Sequence, residues 1–115
     1  MKKVALFVFN GDPVCFIHVL LNGLDMKAKG IEARIIVEGA ATALLPTLAE
    51  PQNPLHKLWE EAKSQAIVDG VCKGCAHKMG TADEAVRQGL VLLDDMSGHP
   101  SMSGYLEAGF EVISF

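Results

Sequence analysis

The chemistry-bearing residues of this chain concentrate in Val71-Cys72-Lys73-Gly74-Cys75-Ala76-His77-Lys78, which holds two of its three cysteines. Two thiols three positions apart can hold a metal ion, form a transient disulfide, or act as nucleophile and resolving partner. A structural zinc site needs four ligands. Cys15 and His18 repeat the same spacing and His77 stands close by, so the metal alternative is zinc or iron on Cys72, Cys75, His77 and Cys15. A thioredoxin-type couple needs its pair at the start of a long helix after an early strand. This pair instead precedes a short segment interrupted by glycine and lacks the aromatic and proline neighbours of that motif. The nucleophile reading rests on Cys72 alone. A cysteine at the end of a strand, leading into a helical turn, meets unpaired backbone N–H groups that favour an anion. Lys73, His77 and Lys78 add positive charge nearby. A thiol lowered from ~8.5 to ~6.5 raises its thiolate share at pH 7 from ~3% to ~75%. The expectation is therefore a reactive Cys72, assisted by Cys75, with Lys73, His77 and Lys78 tuning the thiolate.

The elements that must position this site alternate strand and helix. Residues 4–9 (VALFVF) are a continuous apolar run ended by Asn10-Gly11-Asp12-Pro13, the pattern of a strand buried on both faces. Asp12 caps a helix starting at Pro13 and ending at Gly30. Val14, Ile17, Leu21, Leu24 and Ala28 share one face of that helix, expected on the sheet, with Phe16, Val19 and Met26 opposite. A helix apolar on two sides is buried on two sides, so a second subunit is expected to cover it. Residues 31–39 form a second strand, and 40–54 a short helix broken by Pro46 with a Pro-rich loop. An amphipathic helix follows from Pro54, then a third strand at 66–71 that delivers Cys72 at its end. Residues 81–89 read as a short helix with a Thr81/Glu84 capping box. Two more apolar strands, at 90–94 and 110–115, flank a short helix beginning near Pro100.

This alternation predicts an α/β fold: one doubly wound, mostly parallel five-stranded sheet with helices on both faces, occupying residues 1–115 as one domain. Functional groups in such sheets gather at the C-terminal ends of the strands. Three loops qualify: the first carries Asn10, Asp12 and Cys15, the second Cys72 to Lys78, and the third Asp94, Asp95, Ser97 and His99. In the third loop Gly98-His99-Pro100 also reads as an ordinary turn before a helix.

The bulk numbers bound the function classes. The chain has 115 residues, half of them hydrophobic and about a fifth charged, with net charge −4, which suits a folded globule. There is no basic stripe and few aromatics, so nucleic acid is not expected as a partner. The first apolar run is too short for a membrane span or a signal core. Three cysteines without a secretion signal point to reduced thiols in the cytoplasm. No G-x-G-x-x-G or phosphate loop is present, so no nucleotide or flavin cofactor is expected.

Taken together, the buried KKVALFVFNGDP strand and loop, the long helix ending in glycine, ARIIVEG, the Leu-rich insert, the strand ending GVCKGCA and the closing GYLEAGFEVISF resemble the DsrE/DsrF-like family of small sulfur-relay proteins. The likeness spans nearly the full length. It implies a flavodoxin-like fold, assembly as a homo-oligomer (trimer or hexamer), and a persulfide on Cys72 that passes sulfane sulfur to or from a partner protein or small sulfur compound. Many members of the family lack a second cysteine three residues on. Here Cys75 is placed to resolve a persulfide, releasing sulfide and leaving a disulfide. The alternative from another class is a non-catalytic oligomeric module that binds a ligand or metal with the Cys72/Cys75 loop.

Overall fold

A computed structural model describes all 115 residues. Five parallel strands form one sheet: β1 (Lys3–Val8), β2 (Glu32–Val37), β3 (Val68–Cys72), β4 (Leu92–Leu93) and β5 (Glu111–Ser114), in the order β4-β3-β2-β1-β5. The helices are α1 (Pro13–Ala28), α2 (Leu45–Leu48), α3 (His56–Ser64), α4 (Lys73–Met79), α5 (Ala82–Arg87) and α6 (Met102–Glu107), with a 3-10 helix over Gly39–Leu44. The expected doubly wound α/β architecture is the one observed. Strands β1 to β4 step in one direction across the sheet, so their right-handed crossovers stack α1 to α5 on one face. The return from β4 to β5 runs the other way and carries α6 to the opposite face.

The two faces are covered unequally. On the first, Leu6, Val8, Ile35, Val37 and Val71 pack against Phe16, Val19, Leu20, Leu45 and Trp59, all buried. On the second, Ala5, Phe7 and Ile36 lie under Phe110, with Tyr105 edge-on to both Phe7 and Phe110. Polar groups finish that thinner face. Arg34 donates to Asp69 at 2.8 Å and to Glu32 at 2.7 Å, and the Tyr105 hydroxyl donates to Asp69. Burial, and next the hydrogen bond to Asp69, hold the Tyr105 phenol well above its ordinary range. Asp69 falls where the β2–β3 register shifts between Ile35 and Ile36, so the residue that weakens the strand pattern is the one that bulges.

Three local expectations are corrected. Helix α1 lays Phe16, Val19, Leu20 and Gly23 on the sheet and leaves Val14 (69% exposed) and Leu21 (46% exposed) outward, so that of the face expected on the sheet only Ile17 and Leu24 pack, from the flank, against the core. Gly23 explains the choice: a Cβ there would stand 2.9 Å from the Ile35 side chain, so the helix approaches the sheet closest on that side. Pro46 opens α2 rather than breaking a helix, because the first turn needs no N–H from it. Thr81 makes no capping bond to α5. Its hydroxyl donates to the Thr42 carbonyl at 2.9 Å, and Glu84 pairs with Arg87 instead. No helix is long and apolar enough to cross a membrane.

Candidate functional site

The parallel register builds the site. Val37 pairs with Val71, so the next residues, Glu38 and Cys72, emerge side by side from the C-terminal ends of β2 and β3. Both are buried. Glu38 is anchored by its own N–H, which donates to the Val8 carbonyl at 2.8 Å. Cys72 ends β3 and is the N-cap of α4, its sulfur accepting the Cys75 N–H at 3.3 Å. The first turn of α4 therefore brings both sulfurs to one side. The expectation that Cys72 stands at a strand end leading into a helical turn agrees with this placement.

His99 arrives from the loop after β4. That loop folds on itself: the Met96 N–H donates to the His99 carbonyl at 2.7 Å and the His99 N–H to the Met96 carbonyl at 3.0 Å. Ser97 and Gly98 sit at positive φ, which tightens the turn. The Gly74 N–H, one of the free donors of the first turn of α4, donates to the Gly98 carbonyl at 2.7 Å and clamps the loop to the helix. His99 Nδ1 then lies 3.0 Å from Cys72 Sγ and 3.8 Å from Cys75 Sγ, while Cys75 Sγ lies 3.9 Å from Glu38 Oε1. The ligand atoms of Glu38, Cys72, Cys75 and His99 all fall within 4.8 Å of one another.

The electrostatics run opposite to the expected thiolate. Burial, then the Cys75 thiol, push Cys72 up to about 12; the Cys75 N–H acts the other way and is outweighed, and Glu38 adds to the rise. Burial likewise raises the Glu38 carboxyl above its ordinary value, against hydrogen bonds from Cys72 and Cys75 and the nearby His99. Held as the thiol, Cys72 lies within hydrogen-bond distance of His99 Nδ1, which can take its proton in the tautomer that leaves Nδ1 as the acceptor. A nucleophilic Cys72 would therefore start from a thiol with a base in contact rather than from a standing thiolate.

Of the residues singled out from sequence, Cys72 and Cys75 meet in the site. Lys73 reaches Asp94 at 3.4 Å instead. His77 and Lys78 are exposed in the last turn of α4, where cations complement the helix carbonyls, so neither supplies the charge expected of it near the sulfur. Asn10 accepts the Asp12 N–H at 2.8 Å, and Asp12 accepts the Val14 N–H at 2.9 Å, so both serve the turn and cap before α1. Cys15 lines a separate cavity with Asn10, His18, Asn22 and Phe115. The expected ligand set of Cys72, Cys75, His77 and Cys15 is therefore corrected: Glu38 and His99 stand where Cys15 and His77 were expected.

The chain is 33% identical over 118 residues to the uncharacterized protein MJ0733 of Methanocaldococcus jannaschii, covering 96% of this chain and 93% of that protein. The chain belongs to the family of that protein. An uncharacterized protein of Archaeoglobus fulgidus is 41% identical over 49 residues, covering 43% of this chain and 80% of that protein. Among solved structures, the conserved protein of unknown function BT1422 from Bacteroides thetaiotaomicron superposes with a TM-score of 0.70 at 18% identity, covering 99% of this chain and 95% of that one. At that identity the likeness is one of fold. No family model matches the chain.

Proposed function

We propose that this is a sulfur-handling protein of the DsrE/DsrF-like kind, which carries sulfane sulfur as a persulfide on Cys72 and uses Cys75 as the resolving thiol. The observation that carries the reading is the 3.0 Å contact between Cys72 Sγ and His99 Nδ1, with Cys75 one helical turn away. A nucleophile raised to about 12 needs a base in contact at the moment of attack, and His99 is that base.

The chemistry closes on these groups. Cys72 gives its proton to His99 as its sulfur attacks the outer sulfur of a persulfide or polysulfide donor. The S–S bond of the donor breaks, and its leaving thiolate takes the proton back from His99. An acceptor nucleophile removing the outer sulfur returns Cys72 to the thiol. Alternatively Cys75 attacks Cys72 Sγ, the sulfane sulfur leaves as sulfide, and the two thiols are oxidised to a disulfide that an external dithiol must reduce. A cavity of about 390 Å³, lined by Phe9, Met96 and Met102 beside Glu38 and His99, gives a small sulfur donor an apolar approach. Cys72 itself is fully buried, so loading requires the His99 loop to yield.

The same reading places the protein in the reducing cytoplasm, where its three free thiols stay reduced. It also makes the protein a homo-oligomer, trimeric or hexameric, with the outward stripe of α1 around Val14 and Leu21 covered by a neighbouring copy. The test of sulfur carriage is intact mass. Reduced protein incubated with polysulfide and quenched before Cys75 resolves the persulfide gains one sulfur atom, and Cys72→Ser does not. Equal uptake by that variant removes Cys72 from the role.

A further inference from the structure

We infer that Glu38, Cys72, Cys75 and His99 form a four-ligand site for a borderline-soft divalent metal ion, with Zn²⁺ as the ion it fits. Zinc takes thiolate sulfur, imidazole nitrogen and carboxylate oxygen in a tetrahedron. Metal–ligand lengths of about 2.0–2.3 Å set the ligand atoms of such a tetrahedron about 3.3–3.8 Å apart. Here the separations are 3.0 Å for Cys72 Sγ to His99 Nδ1, 3.8 Å for Cys75 Sγ to His99 Nδ1 and 3.9 Å for Cys75 Sγ to Glu38 Oε1. No pair exceeds 4.8 Å, so side-chain movements of tenths of an ångström to about one ångström close the shell. Two sulfurs, a nitrogen and an oxygen exclude the all-oxygen shells that Mg²⁺ and Ca²⁺ require.

The ligands come from three chain segments that are already fixed to each other. Glu38 is held at the end of β2, and the two cysteines by the first turn of α4. His99 is held by the turn at Met96–His99 and by the bond from Gly74 to the Gly98 carbonyl. The Cys75 N–H already donates to Cys72 Sγ, the outer hydrogen bond that steadies a ligating sulfur. Binding exchanges thiol protons for the metal, without any change of oxidation state. Ligation and a persulfide compete for Cys72, so a bound ion would close the protein to sulfur; the metal inference does not itself depend on sulfur carriage.

The test uses the full-length protein, reduced and freed of metal, titrated with Co²⁺ and then Zn²⁺. One equivalent of Co²⁺ per chain is expected, with tetrahedral d–d bands and a thiolate-to-cobalt charge-transfer band that Zn²⁺ abolishes. Cys75→Ser should remove much of the charge-transfer intensity, and Glu38→Gln and His99→Gln should weaken binding by about tenfold or more. Cys15→Ser and His77→Gln should bind as the parent does. An octahedral spectrum, binding below stoichiometric, or unaltered affinity in Glu38→Gln overturns the site. Should Cys75→Ser fail to fold, the near-isosteric Glu38→Gln decides the matter. Sulfur uptake is read on the same metal-free sample, by added mass after an early quench and by the sulfide and disulfide that follow. Uptake without metal binding defeats this inference alone, and metal binding without uptake defeats the carrier reading alone.

Discussion

Gly74→Ala tests whether the clamp between α4 and the His99 loop positions the site. A Cβ on Gly74 would stand 3.0 Å from the Gly98 carbonyl oxygen, 3.1 Å from His99 Cε1 and 3.3 Å from His99 Nε2. Ordinary contact begins near 3.4 Å, so the loop must retreat by a few tenths of an ångström. The nearest obstacle is a backbone oxygen held by the 2.7 Å bond from the Gly74 N–H, which no rotamer change can move aside. Overpacking costs about 1–3 kcal/mol, while alanine's helix propensity returns at most about 1 kcal/mol. The expected net effect is a loss of up to about 3 kcal/mol, read by urea unfolding. The larger effect falls on chemistry, because His99 retreats with the loop and leaves its 3.0 Å contact with Cys72. Loss of a positioned base costs about 10²-fold or more. Persulfide formation at pH 7, followed by quenched intact mass, should slow by that order and recover in part at high pH, where hydroxide replaces the base. A Gly74→Ala protein more stable than the parent and loading sulfur at the parental rate would refute the clamp.

Cys72 in the metal-free protein should resist iodoacetamide at pH 8, since a thiol at about 12 is ionised only about once in 10⁴ molecules; peptide mapping should show its alkylation rising about tenfold per pH unit and becoming fast on unfolding. Because the folded value lies above the ordinary 9.0, Cys72 contributes stability that is complete below pH 9 and is lost as pH rises towards 12, which urea melts across that window should register. Glu38→Gln should raise the stability of the metal-free protein at pH 8, because burial disfavours the charged carboxylate. That gain should vanish at acid pH, where Glu38 is protonated in both states, and a loss at pH 8 would contradict the burial argument. On the oligomer proposed above, Leu21→Asp should shift sedimentation to monomers while circular dichroism shows the parental fold, since Leu21 lies outside the core; unchanged sedimentation would contradict an interface on α1.

The sequence carried more of the sheet than of the site. Strands β1 and β2 are continuous apolar runs because neighbours flank both on each side, and Cys72 could be placed at a strand end from the run before it. The facing of α1 was ambiguous because both of its sides are apolar; the discriminating residue is Gly23, whose missing side chain marks the side of close approach. In sequence Glu38 is a lone carboxylate after an apolar run, and only its place at the end of β2 is readable. Its meeting with Cys72 needs the β2–β3 register, which is set by long-range pairing. His99 was visible in its loop, but Gly-His-Pro has the composition of any turn. Only the bond from Gly74 to Gly98 turns that loop towards the cysteines. The expected low thiol value failed because α4 is only seven residues long and its cations face away, so burial prevails.

Following loaded sulfur in Cys75→Ser beside the parent separates carriage on Cys72 from resolution by Cys75. Cys75→Ser should keep one added sulfur on the Cys72 peptide, while the parent should release that sulfur as sulfide and end with a Cys72–Cys75 disulfide. Sulfide release from Cys75→Ser at the parental rate, or added sulfur mapped to Cys15, would contradict these roles.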